Sequence, residues 1–223
     1  MTQEQIYQNI ARRTGGDIYI GVVGPVRTGK STFIKRFSEL LLLPHIQNEA
    51  QRARANDELP QSAAGRTIMT TEPKFIPEKA VNIELSGGGS FRARLIDCVG
   101  YMVDGALGHE EQDAPRLVKS PWFDHEVPFD LAAETGTRRV IREHATVGVV
   151  VTTDGSVADL PRENYCEAER RIIAELEAIG KPYVILLNCT DPDSDAAHQL
   201  AAQLQDTYQR AVVPINCVAM TAE

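Results

Sequence analysis

Cysteine is scarce in this chain, and none of its four cysteines stands near another. Cys98, Cys166, Cys189 and Cys217 form no CxxC or Cys/His spacing, which argues against a zinc site. Three of them lie in or beside apolar runs, as reduced, buried thiols of a cytosolic protein do. Long apolar runs are missing too. Nothing approaches the roughly 18 residues of a membrane span, and the N-terminal MTQEQIYQNIARRTGGD lacks the apolar core of a signal peptide. The expectation is a soluble, cytoplasmic protein without a transmembrane segment. Basic residues are outnumbered, 23 Lys and Arg against 31 Asp and Glu. A net charge of −8 disfavours nucleic acid as a general partner. The small basic cluster of Arg12, Arg13, Lys35 and Arg36 reads as a solvated helix face. No internal repeat or low-complexity tract interrupts the chain.

What is present is an alternation of buried strands and amphipathic helices. With 223 residues the chain fits one α/β domain, or one with a modest insertion. Apolar, β-branched runs predict strands at 18–23, 146–152, 183–187 and 211–215. Strands at 80–85 and 91–98 flank Ser86-Gly87-Gly88-Gly89-Ser90, a hairpin signal that makes one strand antiparallel. Helical spacing predicts helices at 33–43, ending before Pro44, and at 131–143, 163–179 and 195–209. Gly180 closes the third of these. Residues 45–67 show no clear preference. Residues 101–129, with Pro115, Pro121, Pro128 and the lone Trp122, predict a long functional loop or a small insertion. The implied architecture is a mostly parallel sheet with one antiparallel hairpin and helices on both faces. Ligands bind such sheets beyond the carboxyl ends of the strands.

One motif sits there. Gly24-Pro25-Val26-Arg27-Thr28-Gly29-Lys30-Ser31 matches GxxxxGKS/T in full, after an apolar strand and before a helix. Its glycines allow close backbone approach, and successive N–H groups with the positive end of the helix cradle phosphates. Lys30 brings an ammonium to the β- and γ-phosphates, and Ser31, followed by Thr32, offers a hydroxyl to magnesium. Asp97, ending a strand three residues before Gly100, reads as a magnesium-holding carboxylate, with the Gly100 N–H as a γ-phosphate sensor. Thr70 and Thr71, between the two motifs, read equally as loop hydroxyls for the metal shell or as strand-edge threonines. Two features depart from small GTPases. Tyr101 stands where a water-positioning glutamine usually follows DxxG. Asn188-Cys189-Thr190-Asp191 keeps the register of the guanine-reading NKxD but lacks its lysine. Some other group must then stabilise the transition state. Arg27 is a candidate, on its own nucleotide or a neighbour's, unless it pairs with a surface carboxylate.

The segment Asp57-Glu-Leu-Pro-Gln-Ser-Ala-Ala-Gly-Arg-Thr-Ile-Met-Thr-Thr-Glu-Pro-Lys-Phe75 closely resembles the stage IV sporulation protein A family of spore-forming bacteria. Thr14 to Tyr19, the P-loop, Ile96 to Tyr101, Pro121-Trp122 and Val150 to Gly155 continue the match over nearly the whole chain. The resemblance implies a fold of translation-factor-type GTPase architecture that became an ATPase. It implies MgATP hydrolysis, expected to be slow, and self-assembly into the base layer of the spore coat. The setting implied is the mother-cell cytoplasm at the forespore surface, with other coat proteins and a small membrane-surface anchor protein as partners. Lys30 takes the place of the family's P-loop lysine and Asp97 that of its Walker B aspartate. Thr70 and Thr71 take that of its nucleotide-sensing threonines, Thr71 with a place in the metal shell. Gly24, Arg27, Thr28, Gly29, Thr32, Gly100, Asn188 and Asp191 complete the expected nucleotide contacts. Residues 1–223 are then expected to be one nucleotide-binding domain, without the family's further C-terminal domains.

Overall fold

The computed structural model describes residues 16–60, 73–84, 90–105, 110–111 and 114–222. Its main sheet has six strands: β1 (Asp17–Val23), β2 (Lys74–Glu84), β3 (Ser90–Asp97), β4 (Val147–Thr153), β5 (Tyr183–Asn188) and β6 (Val212–Ile215). Their spatial order is β6-β5-β4-β1-β3-β2, and every neighbouring pair is parallel except β2 and β3. The helices are α1 (Lys30–Phe37), α2 (Glu49–Asp57), α3 (Phe129–Arg139), α4 (Cys166–Ala178) and α5 (Asp195–Tyr208).

Successive strand residues face opposite sides, and the central strands are apolar on both. Val23, Ile96 and Val150 pack with Ile172 and Leu176 of α4 and Leu204 of α5. Val22, Leu95 and Val151 pack on the other face with Phe33 and Ile34 of α1. The expected α/β architecture, with helices on both faces and one antiparallel pair, is the one observed.

Three elements differ from their expected form. β2 begins at Lys74, six residues before the run that signalled it, because its register slips between Ile76 and Val81, where Pro77 stands. α1 ends at Phe37 and continues as a wider turn over Ser38–Leu42 and a tight one over Leu43–His45. α2 lies in the stretch that showed no preference. It is polar almost all round, with Ala55 its buried residue, and Asn48 caps it by accepting from Gln51 N at 3.0 Å. Between Tyr101 and Phe129 the described residues hold two short ladders, Glu110–Glu111 with Ala114–Pro115 and Leu117–Val118 with Val127–Pro128. No helix among the described residues is long and apolar enough to cross a membrane.

Candidate nucleotide site

The carboxyl ends of β1, β3, β4 and β5 converge on residues 24–32. Gly29 caps α1 with a left-handed φ of 94°, and a Cβ there would lie 2.3 Å from Asn188 Nδ2. Only glycine fits so close an approach. α1 has no side-chain cap and no acid in its first turn, so its leading N–H groups offer themselves to an external anion. Ser31 and Thr32, half-buried, stand in that same turn. Thr28 Oγ1 donates to Pro25 O at 3.0 Å and braces the loop from within.

Lys30 is buried, and its ammonium folds back to donate to Pro25 O at 2.6 Å and Gly24 O at 3.2 Å. Burial pushes this ammonium down to about 8, against the pull of the Asp97 carboxylate. Burial likewise pushes the Asp97 carboxyl up to about 6, with Lys30 and then Lys74 drawing it back. Asp97 ends β3 level with Val22 of β1 and Lys74 of β2. The cleft thus holds opposite charges that each lose hydration. An uncapped helix start and an ammonium suit a polyphosphate, while a carboxylate and a hydroxyl suit a divalent cation.

The DxxG segment is joined to the P-loop through backbone. Val26 N donates to Tyr101 O at 2.8 Å and Tyr101 N to Gly24 O at 3.3 Å. A Cβ on Gly100 would lie 2.6 Å from Lys30 Nζ, so Gly100 lies close against the Lys30 ammonium. Its N–H donates to Thr137 Oγ1 of α3. Tyr101 is fully buried in the core, with Arg171 of α4 stacked 5.0 Å from its ring centre. Burial, then the Glu175 carboxylate, pushes its phenol up. A side chain so placed does not stand where the glutamine of small GTPases meets water.

On the other flank Asn188 spends both ends of its carboxamide on backbone. Nδ2 donates to Thr28 O at 2.9 Å, and Oδ1 accepts from Cys217 N at 3.0 Å. It therefore ties β5 to the P-loop and to the turn after β6. Cys189, in the register of the absent lysine, is buried, with its N–H on Ile215 O. Asp191 is exposed. Beside it Asn216 Oδ1 accepts from Val218 N and Ala219 N at 3.0 and 3.1 Å, and Nδ2 donates to Thr190 O at 3.0 Å.

Thr70 and Thr71 lie outside the described residues. Arg27 takes a left-handed φ of 64° and is half-buried; its charge works against the upward push that burial exerts on the Tyr165 phenol. Four residues near the site escaped the sequence reading: Lys74, Thr137, Asn216 and Glu169. Glu169 of α4 is 1% exposed. It accepts from Arg162 and Tyr208 at 2.8 Å and from the Thr152 hydroxyl at the end of β4. Its signal was the helical spacing of Tyr165, Ala168, Ile172, Ile173 and Leu176, which puts position 169 on the buried face.

Residues 1–223 match the family model described as stage IV sporulation protein A, ATPase domain. The chain is 53% identical over 216 residues to stage IV sporulation protein A of Bacillus anthracis, covering 97% of this chain and 44% of that one. The Bacillus subtilis (strain 168) protein of that name is 52% identical over 220 residues, 99% of this chain and 45% of that one. The Clostridioides difficile (strain 630) protein is 50% identical over 218 residues, 98% and 44% respectively. This chain spans less than half the length of these curated relatives. A crystal structure of an SsGBP mutation variant aligns with 96% of this chain and 55% of its own, at 13% identity and a TM-score of 0.47.

Proposed function

The chain belongs to the stage IV sporulation protein A family, and we propose that its cleft binds and slowly hydrolyses MgATP. One observation carries this reading: the uncapped start of α1, the buried Lys30 ammonium and the Asp97 carboxylate lie together beyond the carboxyl ends of β1 and β3. The P-loop N–H groups and Lys30 bind the phosphates. Ser31, Asp97 and Thr71 are the residues that would hold magnesium, which when bound neutralises charge on the β- and γ-phosphates. Thr70 and Thr71 sense the terminal phosphate, and their hydroxyls order an attacking water. A site without a dedicated water-positioning glutamine turns over slowly.

The base edge carries one feature against guanine and one that serves either purine. Guanine presents an acceptor at O6, where adenine presents an N6 amino donor. The two N–H groups after β6 are already capped by Asn216, which withholds them from a guanine O6, while the exposed Asp191 carboxylate accepts only and suits guanine's N1–H and N2 donors as well as adenine's amino group.

Residues 1–223 act, in this reading, as one P-loop domain in which 101–129 is a long loop or small insertion carrying two short ladders. Family membership supports the larger role: hydrolysis drives self-assembly of the coat base layer at the forespore surface, with coat proteins and a membrane-surface anchor as partners. Two tests decide the chemistry. Nucleotide released by denaturing the purified chain should run as an adenine nucleotide, and phosphate release should favour ATP over GTP. Guanine nucleotide and GTP turnover would make the protein a regulatory GTPase. Bound nucleotide with no phosphate release would leave a structural nucleotide-binding module. Lys30→Ala should cost the triphosphate about 2–5 kcal/mol of binding, one charge-assisted contact in a desolvated site.

A further inference from the structure

Gly100 has a single N–H, and its acceptor here lies on a helix. It donates to Thr137 Oγ1 at 3.3 Å, while that hydroxyl donates to Ala133 O, one turn back in α3, at 2.9 Å. A threonine hydroxyl has one hydrogen and two lone pairs. The bond within the helix uses the hydrogen and so turns a lone pair outward to Gly100. Thr137 is 1% exposed, so water does not share this contact. The next residue is gripped by the same helix and its neighbour. Arg171, stacked on Tyr101, pairs with Glu134 of α3 at 2.6 Å, and Arg138 of α3 pairs with Glu175 of α4 at 3.1 Å. Gly100 is therefore fastened to α3 directly, and Tyr101 through α4, which is ion-paired to α3.

We propose that Thr137 is a positioning residue for the nucleotide state: its hydroxyl holds the Gly100 N–H in reserve, and a terminal phosphate takes that N–H from it. This rests on the reading of the cleft as an ATP site. A ligand shifts such an equilibrium only through contacts it makes in one state and not the other. ATP has the phosphate that competes with Thr137, and ADP lacks it. Release of the bond also removes the direct tie between the DxxG segment and α3, which makes α3 the element that registers the nucleotide.

Thr137→Val keeps the β-branched shape and removes the acceptor. In the nucleotide-free chain the Gly100 N–H is then buried without a partner, so the resting arrangement loses about one hydrogen bond. Titration calorimetry should find a non-hydrolysable ATP analogue binding about fivefold tighter to Thr137→Val, the size of that bond. ADP affinity should stay as in the wild type, and Thr137→Ser should restore the wild-type ratio. In the wild-type chain the Thr137 methyl resonance should move with the analogue and not with ADP, a readout that needs no variant to fold. A wild type that binds both nucleotides, with an unchanged ratio in Thr137→Val or an unmoved methyl, overturns the role of Thr137 alone. A wild type that binds neither overturns the nucleotide reading and this proposal together.

Discussion

Asn216 shows how one carboxamide can bias the choice of base. Its Oδ1 occupies the N–H groups of Val218 and Ala219, leaving no donor in that turn for an acceptor on an incoming purine. Asn216→Ala uncovers both, and the ratio of GTP to ATP affinity should rise about tenfold in competition binding, the worth of one or two polar contacts. Asn216→Asp keeps the acceptor and should keep the wild-type ratio; an unmoved ratio in the alanine variant would refute the assignment. Residues of this kind explain what sequence could and could not tell. That Gly29, Lys30, Ser31 and Asp97 would come together beyond β1 and β3 was legible, because the GxxxxGKS spacing and a strand-end aspartate fix their positions in such a sheet. Asn188 was legible by register, but its duty is structural in this conformation, since both ends of its side chain hold backbone. Thr137 and Asn216 were not legible. A threonine inside a helix and an asparagine in a turn are ordinary locally, and their partners come from tertiary contact.

Elements meet at the carboxylate of Glu169, which joins α4 to the end of β4, to the turn before α4 through Arg162, and to α5 through Tyr208. Removing one partner strands the other charge in the interior. Glu169→Ala should therefore lower stability in urea by about 3–5 kcal/mol, whereas an apolar pair replacing both Glu169 and Arg162 should lose much less. Equal losses from the two changes would show that packing and not charge sets the cost. β4 and α4 were readable because each buries a regular apolar pattern. α2 has almost no apolar face to reveal it, and the start of β2 is broken by its register slip. The sequence signals of elements follow burial, and fade where an element buries little or bends.

For the whole molecule, the sheet order places every candidate site residue among the described ones at the carboxyl ends of β1, β3 and β5, in the turns just beyond them or in the first turn of α1. That much was legible, because alternating apolar strands and helices fix where such a sheet binds its ligand. The charges of Lys30 and Asp97 do not stabilise the fold. Both site charges are buried against their preference: stability falls as pH rises through the raised Asp97 value of about 6, and recovers as pH rises through the lowered Lys30 value of about 8. Lys30→Ala should then leave the urea midpoint at pH 7 no lower than the wild type, even as nucleotide binding is lost. A clear drop would make Lys30 a structural residue.

The same pair makes ligand binding an exchange of protons with the solvent. An anion drawn to Lys30 raises the ammonium's affinity for its proton, and a cation drawn to Asp97 expels the carboxyl's. Near pH 6, where Asp97 is half-protonated, MgATP should bind with net proton release, and near pH 8, where Lys30 is half-neutral, with net uptake. The two should cancel at roughly pH 7, midway between the two values. Binding heats measured in buffers of different ionisation enthalpy read this inventory directly. Plotted against that enthalpy, their slope should change sign between pH 6 and pH 8. A slope of one sign throughout would mean that only one of the two groups changes its proton when the cleft fills.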